Sequence, residues 1–272
     1  MKKIAFVKKY LCQQFKKADI DEFEVNVLLS EVLKVPFSKL VLLDEITNFQ
    51  FFLVKHYAKK RVKGMPITKI FKRAYFYGLE FDITNDVLSP RQETELLVSE
   101  ALKRIKTGDN VLDLCTGSGC IAVAIAKNSN AKVCASDVSK KALKIANKNA
   151  KKHNANVEFM QSNLFENINK KFDIIVSNPP YIETKTIDTL SVEVKKYDPI
   201  LALDGGEDGL DFYKKIIESL PNYLNENGTI LFEIGFNQAE SVKKLLKQNS
   251  FEAICLKDYE NKDRIIIGKR KN

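Results

Sequence analysis

The chain has 272 residues, enough for one catalytic domain and a smaller companion, and its 44% apolar content excludes wholesale disorder. No run of about 18 apolar residues is present, so no transmembrane helix is expected. Lys8 and Lys9 interrupt the apolar stretch behind the basic N-terminus, which argues against a signal peptide and for a cytoplasmic protein. The net charge of +9 admits a nucleic-acid partner, but the lysines are spread along a chain also rich in asparagine and isoleucine. The densest clusters, Lys59-Lys60-Arg61 and Lys269-Arg270-Lys271, lack interleaved aromatics and read as solvated faces.

Residues 1 to about 73 read as helical. Ile4, Val7, Leu11 and Phe15 recur at helical spacing. A second helix follows Asp21, with Val25, Leu28, Leu29, Val32 and Leu33 on one face, and stops before Pro36, where a third short helix starts. A fourth runs from an N-cap at Thr47 to Gly64, with Phe49, Phe52, Leu53, His56 and Tyr57 as its stripe. His56 then sits on an apolar face as a packing residue, and His153, near a lysine-rich helix end, reads as surface. With only these two histidines, histidine-based catalysis is poorly supported. The aromatic, β-branched run Tyr75–Ile83 around Gly78 reads as a hairpin joining two domains.

Helical period returns from Glu93, with Leu96, Leu97, Leu102 and Ile105. Strands are then expected at Asn110–Leu114, Lys132–Ser136, Val157–Gln161, Asp173–Ser177, Thr229–Ile234, Ala253–Leu256 and Arg264–Gly268, with helices between the early ones. Such alternation implies a mostly parallel sheet covered on both faces. The Lys257–Asp263 connection is too short for a parallel crossover, so the last two strands form an antiparallel pair at the sheet's end. The five cysteines, Cys12, Cys115, Cys120, Cys134 and Cys255, are odd in number and show no C-x-x-C spacing. They read as small core residues, with no disulfide framework and no metal site.

The first strand of the sheet runs into Asp113-Leu114-Cys115-Thr116-Gly117-Ser118-Gly119-Cys120, and a helix follows. Glycines at such a turn bring the backbone close to a ligand and aim a helix N-terminus at it. No Gly-Lys-Ser/Thr follows, which excludes a phosphate-binding lysine loop. Asp137, 18 residues after Gly119 at the end of the second strand, can accept both ribose hydroxyls of an adenosine cofactor; it could instead cap the next helix, a role open to Ser139. These two features alone still admit a nicotinamide dinucleotide. The third strand ends at Gln161-Ser162-Asn163-Leu164. In adenosylmethionine enzymes an acid commonly meets the adenine amine there; the Asn163 amide oxygen can accept the same bond without the charge, or Asn163 is a turn residue.

The fourth strand runs straight into Asn178-Pro179-Pro180-Tyr181. At the C-terminal end of a doubly wound sheet's strand, this tetrapeptide faces the cofactor crevice. Methyl transfer from a sulfonium is an in-line displacement, and the lone pair of an amide or aromatic amine is delocalised and poorly nucleophilic. The Asn178 side-chain oxygen and the Pro179 carbonyl can each accept one N–H of an NH₂ group, favouring the rehybridised, positively charged transition state. Proline brings no competing N–H, and the Tyr181 ring can stack on a flat acceptor. No strong general base is required, because the methylated nitrogen is acidic enough to lose its proton to water. The loop alone identifies a planar NH₂ acceptor and no more.

At this point the chain resembles the release factor glutamine methyltransferase family. The resemblance spans nearly the whole chain, strongest from Gly64 onward. It rests on Gly64-Met65-Pro66-Ile67, Leu88-Ser89-Pro90-Arg91-Gln92-Glu93-Thr94-Glu95, Asn178–Tyr181, Tyr197-Asp198-Pro199, Ala202–Asp211 and Asp258-Tyr259. It implies an α/β fold: a seven-stranded, doubly wound, class I (Rossmann-like) methyltransferase domain at 87–272, a small helical substrate-recognition domain at 1–73, and a β-hairpin link at 74–86. It implies the cofactor S-adenosyl-L-methionine, held by Asp113, Cys115, Thr116, Gly117, Ser118, Gly119, Asp137, Asn163, Leu164 and Asn178. It also implies methylation of the glutamine amide in the Gly-Gly-Gln motif of class I peptide chain release factors, with Asn178, Pro179, Pro180 and Tyr181 on the glutamine. A monomer is expected; nucleic acid is not required, and contact with ribosomal RNA stays open. Cys115 replaces a usual glycine, implying a position without positive φ; Asn163 replaces the usual acid and Gln92 the usual proline. The competing reading is a methyltransferase for adenine or guanine amines, which would flip the base out and carry a recognition domain. The helical 73 residues show no evident basic reading helix.

Overall fold

A computed structural model describes residues 1–270; Lys271, the last of the second basic cluster, lies outside the described residues. Two compact units emerge, Met1–Lys72 with Ser191–Tyr197, and Arg73–Leu190 with the chain from Asp198 onward. The chain begins with β1 (Lys2–Lys3), α1 (Ile4–Lys17), α2 (Phe23–Leu33), β2 (Glu45–Ile46), α3 (Asn48–Val62) and α4 (Ile67–Phe71). The hairpin β3 (Arg73–Phe76) and β4 (Leu79–Asp82) follows, then α5 (Thr94–Leu102), β5 (Asn110–Leu114), α6 (Cys120–Asn128), β6 (Lys132–Asp137), α7 (Lys140–Lys152), β7 (Val157–Gln161) and β8 (Phe172–Ser177). After α8 (Val192–Tyr197), which groups with the first unit, come α9 (Asp211–Tyr223), β9 (Leu224–Glu233), α10 (Ala239–Gln248), β10 (Phe251–Lys257) and β11 (Asp263–Arg270). Among the described residues no helix is long and apolar enough to cross a membrane.

In the first unit, α1 buries Val7, Leu11 and Phe15, and α2 buries Val25, Leu28, Leu29 and Leu33, the faces their spacing dictates. Thr47 caps α3 in a reciprocal box with Gln50: each side chain accepts the other's backbone N–H, at 3.0 and 2.8 Å. Of the stripe expected on α3, only Leu53 and Tyr57 are half-buried, and Tyr57 packs against the core of this unit. Val54, Ala58 and Arg61 are buried, whereas Phe49 and Phe52 are 69% and 59% exposed. His56, expected to pack, is exposed and meets the Tyr57 ring edge-on. Apolar residues lie on more than one face of α3, so periodicity cannot say which face meets α1 and α2. The basic cluster there is not simply solvated either. Arg61, 4% exposed, pairs with Glu24 at 2.5 Å and Glu193 at 2.6 Å, joining α2, α3 and α8. Arg61→Ala should strand both carboxylates and lower unfolding free energy by about 2–3 kcal/mol, read from denaturant melts. An unchanged midpoint would show that the pairs contribute nothing.

The second unit is built on a seven-stranded sheet of order β10-β11-β9-β8-β5-β6-β7. β9, β8, β5, β6 and β7 are parallel, and β11 runs antiparallel to both β9 and β10, as the short last connection requires. The central strands are continuous apolar runs, such as Ile174-Ile175-Val176, because helices cover both faces. The chain reverses direction across the sheet at β5, between β6 and β8. A crevice therefore opens past the C-terminal ends of β5 and β8. The hairpin turns at Tyr77-Gly78, both at positive φ, and buries Phe76 and Phe81 in the core of this second unit. His153, read as surface, is half-buried: its ring packs on Phe81 and its Nε2 lies 2.7 Å from the Glu80 carbonyl oxygen.

Candidate active site

The β5–α6 turn is held from below by its own strand. Gly119, the N-cap of α6, has no side chain to offer, and Asp113 fills that role from β5. One Asp113 oxygen accepts the Ala122 N–H of the first turn of α6 at 3.1 Å and the Thr116 hydroxyl at 2.6 Å. Complete burial pushes the Asp113 carboxyl up to about 7. Gly119 is required by packing as well as by its φ of +80°: a Cβ there would lie 2.9 Å from the Ala146 Cβ of α7. Gly117, at φ +55°, faces open space.

Cys115 contradicts the expectation drawn from its side chain. Its φ is +63°, in the left-handed region, so the position needs the conformation that a glycine adopts without strain. Tertiary packing holds the residue there; burial pushes its thiol pKa well up. Cys115→Gly should leave the melting temperature unchanged or raised. Cys115→Val should cost about 2 kcal/mol, since a β-branched residue tolerates this φ worst. Equal melts for the two variants would overturn the assignment.

Asp137 ends β6. Its two carboxylate oxygens accept the Gly117 N–H and the Ser139 N–H, each at 2.9 Å, and Ser139 itself caps α7. Burial raises the Asp137 pKa, partly offset by these backbone donors. Leu164 has a φ of +49° after β7. The Asn163 amide nitrogen donates to Glu166 at 2.6 Å, which leaves the amide oxygen as the atom to accept.

One cavity collects most of these groups. Its wall includes Cys115, Thr116, Gly117, Ser118, Asp137, Asn163, Leu164, Asn178 and Pro180. Asp113 and Gly119 are not part of the lining; they shape the loop that is. Pro179 is buried and Tyr181 packs half-buried against the second core cluster, and neither belongs to the wall. Sequence reasoning assigned no role to several residues that do line it. The segment Asn85–Arg91 forms one side, with Thr94, Val138, Pro199 and Phe212. Arg91 pairs with buried Asp198 at 3.0 Å, which ties together two of the motifs quoted above. Phe212 carries no signal that would mark it in a single sequence.

The Asn178–Tyr181 loop rests on the segment at 203–209. Ile182 N–H donates to the Leu203 carbonyl at 2.9 Å, and Gly205 N–H returns the bond to Ile182 at 2.8 Å. The Gln238 amide, at the start of α10, donates to the Tyr181 and Gly209 carbonyls at 2.9 and 3.2 Å. Burial pushes the Tyr181 hydroxyl up to about 12. The Asn178 amide nitrogen donates to Thr94 Oγ1, long at 3.4 Å, from the first residue of α5.

Comparisons with known proteins bear on this site. The Methyltransferase small domain family matches residues 91–195. A release factor glutamine methyltransferase from Thermodesulfovibrio yellowstonii is 40% identical over 262 residues, 91% of this chain and 94% of that protein. One from Bacillus subtilis is 37% identical over 98% of both chains. A crystal structure of a methyltransferase from Pyrococcus furiosus shares the fold, with a TM-score of 0.57 at 19% identity over 79% of this chain and 98% of that one.

Proposed function

The chain belongs to the release factor glutamine methyltransferase family, and from that premise we propose that it methylates the glutamine amide nitrogen in the Gly-Gly-Gln motif of class I peptide chain release factors. The observation that carries this reading is that the Asn178 amide and the Asp137 carboxylate wall one cavity at the C-terminal ends of the parallel strands. Asp137 suits a ribose, because each of its oxygens keeps a lone pair beyond its backbone bond. Gly117 leaves room for close approach, and Val138 and Leu164 offer apolar surface to a flat base. The residues present thus fit S-adenosyl-L-methionine, which supplies an electrophilic methyl group on a sulfonium.

The chain's own groups do the rest. Asn178 Oδ1, on the wall, and the carbonyl of Pro179, the next residue behind it, are assigned to accept the two N–H bonds of the glutamine amide, turning its nitrogen lone pair toward the methyl group. Tyr181, one residue beyond the wall, is assigned to the flat face of the amide. The proton leaves to water once the nitrogen is cationic. We assign partner choice to the helical residues 1–73 and to the 182–211 segment, because Asn178 and Tyr181 would serve any planar NH₂ group. Mass spectrometry of a release-factor Gly-Gly-Gln peptide, incubated with the protein and S-adenosyl-L-methionine in the cytoplasmic pH range, tests the reading. A methylated glutamine is expected; an unmodified glutamine beside methylated nucleic acid would reverse it.

A further inference from the structure

Asparagine is nearly symmetric in shape, and rotation by half a turn about its last torsion exchanges Oδ1 for Nδ2. Only one of the two orientations presents an acceptor to a substrate N–H, and the other presents a donor. Something in the site must choose. The cavity wall holds Asn178 and Thr94 but not Glu233, the last residue of β9; the parallel register pairs Ser177 with Phe232, so the next residue on each strand sets Glu233 level with Asn178. Glu233 is 2% exposed and Thr94 3%. The Tyr213 hydroxyl donates to the Glu233 backbone carbonyl at 2.7 Å and fixes that strand end.

The geometry points to Glu233 as the positioning residue that sets the polarity of the Asn178 amide through the Thr94 hydroxyl. A carboxylate can only accept. Facing it, the Thr94 O–H must donate, which turns a Thr94 lone pair toward Asn178. The Asn178 amide nitrogen then donates to Thr94, as observed at 3.4 Å, and Oδ1 is directed to the acceptor nitrogen of the substrate. Thr94 and Asn178, as hydrogen-bonding neighbours, both pull the Glu233 carboxyl down against its burial. Its Oε2 is buried with no hydrogen-bond partner, so the chain keeps an ionisable group at a site where burial is costly. If Glu233 is protonated or replaced by glutamine it can donate. Thr94 can then accept from it and donate to Asn178 Oδ1, and the amide turns its NH₂ toward the substrate.

The inference rests on the glutamine methyltransferase reading and concerns the same site. It also sets a pH dependence. Burial pushes the Glu233 carboxyl up to about 7, against the lowering effect of Thr94, Arg264 and Asn178. The groups around it are Arg264, exposed Glu93, Tyr181, Tyr213 and Cys120. Arg264 stays charged, while Tyr181 and Cys120, both pushed up to about 12, and Tyr213 stay neutral between pH 6 and 9. Asp113 also titrates near 7, but it is retained in a Glu233 variant, so the difference between two profiles isolates Glu233.

The test measures single-turnover methylation of a release-factor Gly-Gly-Gln peptide against pH, with peptide and S-adenosyl-L-methionine affinities measured in parallel. Wild type should gain rate as pH rises through 7. Glu233→Gln should lose about 10-fold or more at pH 8 with affinities kept within about 3-fold, and its profile should flatten. Thr94→Val should fall as far, Thr94→Ser should recover most of the rate, and the Glu233→Gln/Thr94→Val double variant should be no slower than Thr94→Val alone. If Glu233→Gln does not fold, the Thr94 pair decides. A wild type that leaves glutamine unmodified refutes the functional reading. A wild type that is active, beside a dead Asn178→Ala and a Glu233→Gln with unchanged rate and pH limb, refutes this inference alone; so does Thr94→Val with wild-type rate.

Discussion

Replacing Asn178 by alanine is expected to lower single-turnover methyl transfer by about 10²–10³-fold, the usual cost of removing one preorganised group that stabilises developing charge. The cost is specific to the transition state. The amide nitrogen of glutamine is a poor nucleophile until its lone pair is released from conjugation, and the nitrogen gains positive charge as the methyl arrives. In the proposed mechanism Asn178 Oδ1 accepts from an N–H that grows more acidic along that path, so its contribution increases toward the transition state. Asn178 follows β8, lines the cavity and is half-buried, so its loss leaves no large void in the core. The melting temperature should stay within a few degrees of wild type, and S-adenosyl-L-methionine affinity within several-fold, by calorimetry. A variant that keeps most of the single-turnover rate would remove Asn178 from the mechanism.

Gly205→Ala should be nearly as damaging from a position that need not touch substrate at all. A Cβ on Gly205 would stand 2.7 Å from Tyr181 Cα and 2.9 Å from the Pro180 carbonyl oxygen. Both are backbone atoms pinned by the Ile182–Leu203 and Ile182–Gly205 bonds, so no side chain can move aside. The Asn178–Tyr181 loop must shift by roughly 1 Å, a displacement that costs about 100-fold when it falls on reacting groups. Overpacking should also lower stability by about 1–3 kcal/mol. Gly78→Ala is the control. Gly78 has a φ of +73°, so the substitution strains the hairpin turn, yet nothing lies within 4 Å of its added Cβ. It should lower the melting temperature while leaving the rate alone. If Gly205→Ala loses only stability, in proportion to Gly78→Ala, the segment at 203–209 is not a support for the loop.

The sheet was legible because strand and helix periods alternate cleanly from Asn110 onward, and the limits of β5 and β7 match the expected ones. The antiparallel end followed from a connection too short to cross over. The sequence failed where several faces of one element are apolar. On α3 it chose Phe49 and Phe52 over Val54 and Ala58, because only the packing of α1 and α2 selects among those faces. It failed at Cys115 for a related reason. A side chain reports a preference for φ, and the chain path between β5 and α6 overrode that preference. The basic cluster at Arg61 showed its charges, but not that two glutamates far along the chain would enclose one of them.

The Asn178–Tyr181 loop and Asp137 were singled out by residue type and by their places at strand ends, both local properties that a sequence displays, and the fold brings Asn178 and Asp137 to one cavity. Local order thus determined the doubly wound architecture, the crevice and the class of acceptor. Tertiary structure decided what stands behind those residues. Thr94 reaches Asn178 from α5, Glu233 stands level with it on β9, and Gln238 and Gly205 reach the loop from α10 and the 203–209 segment. These supports are separated from Asn178 by tens of residues, and no periodicity or spacing links them. Hydrogen-bond polarity and backbone clearance exist only between groups that folding has brought into contact, so they could be read only from the folded chain.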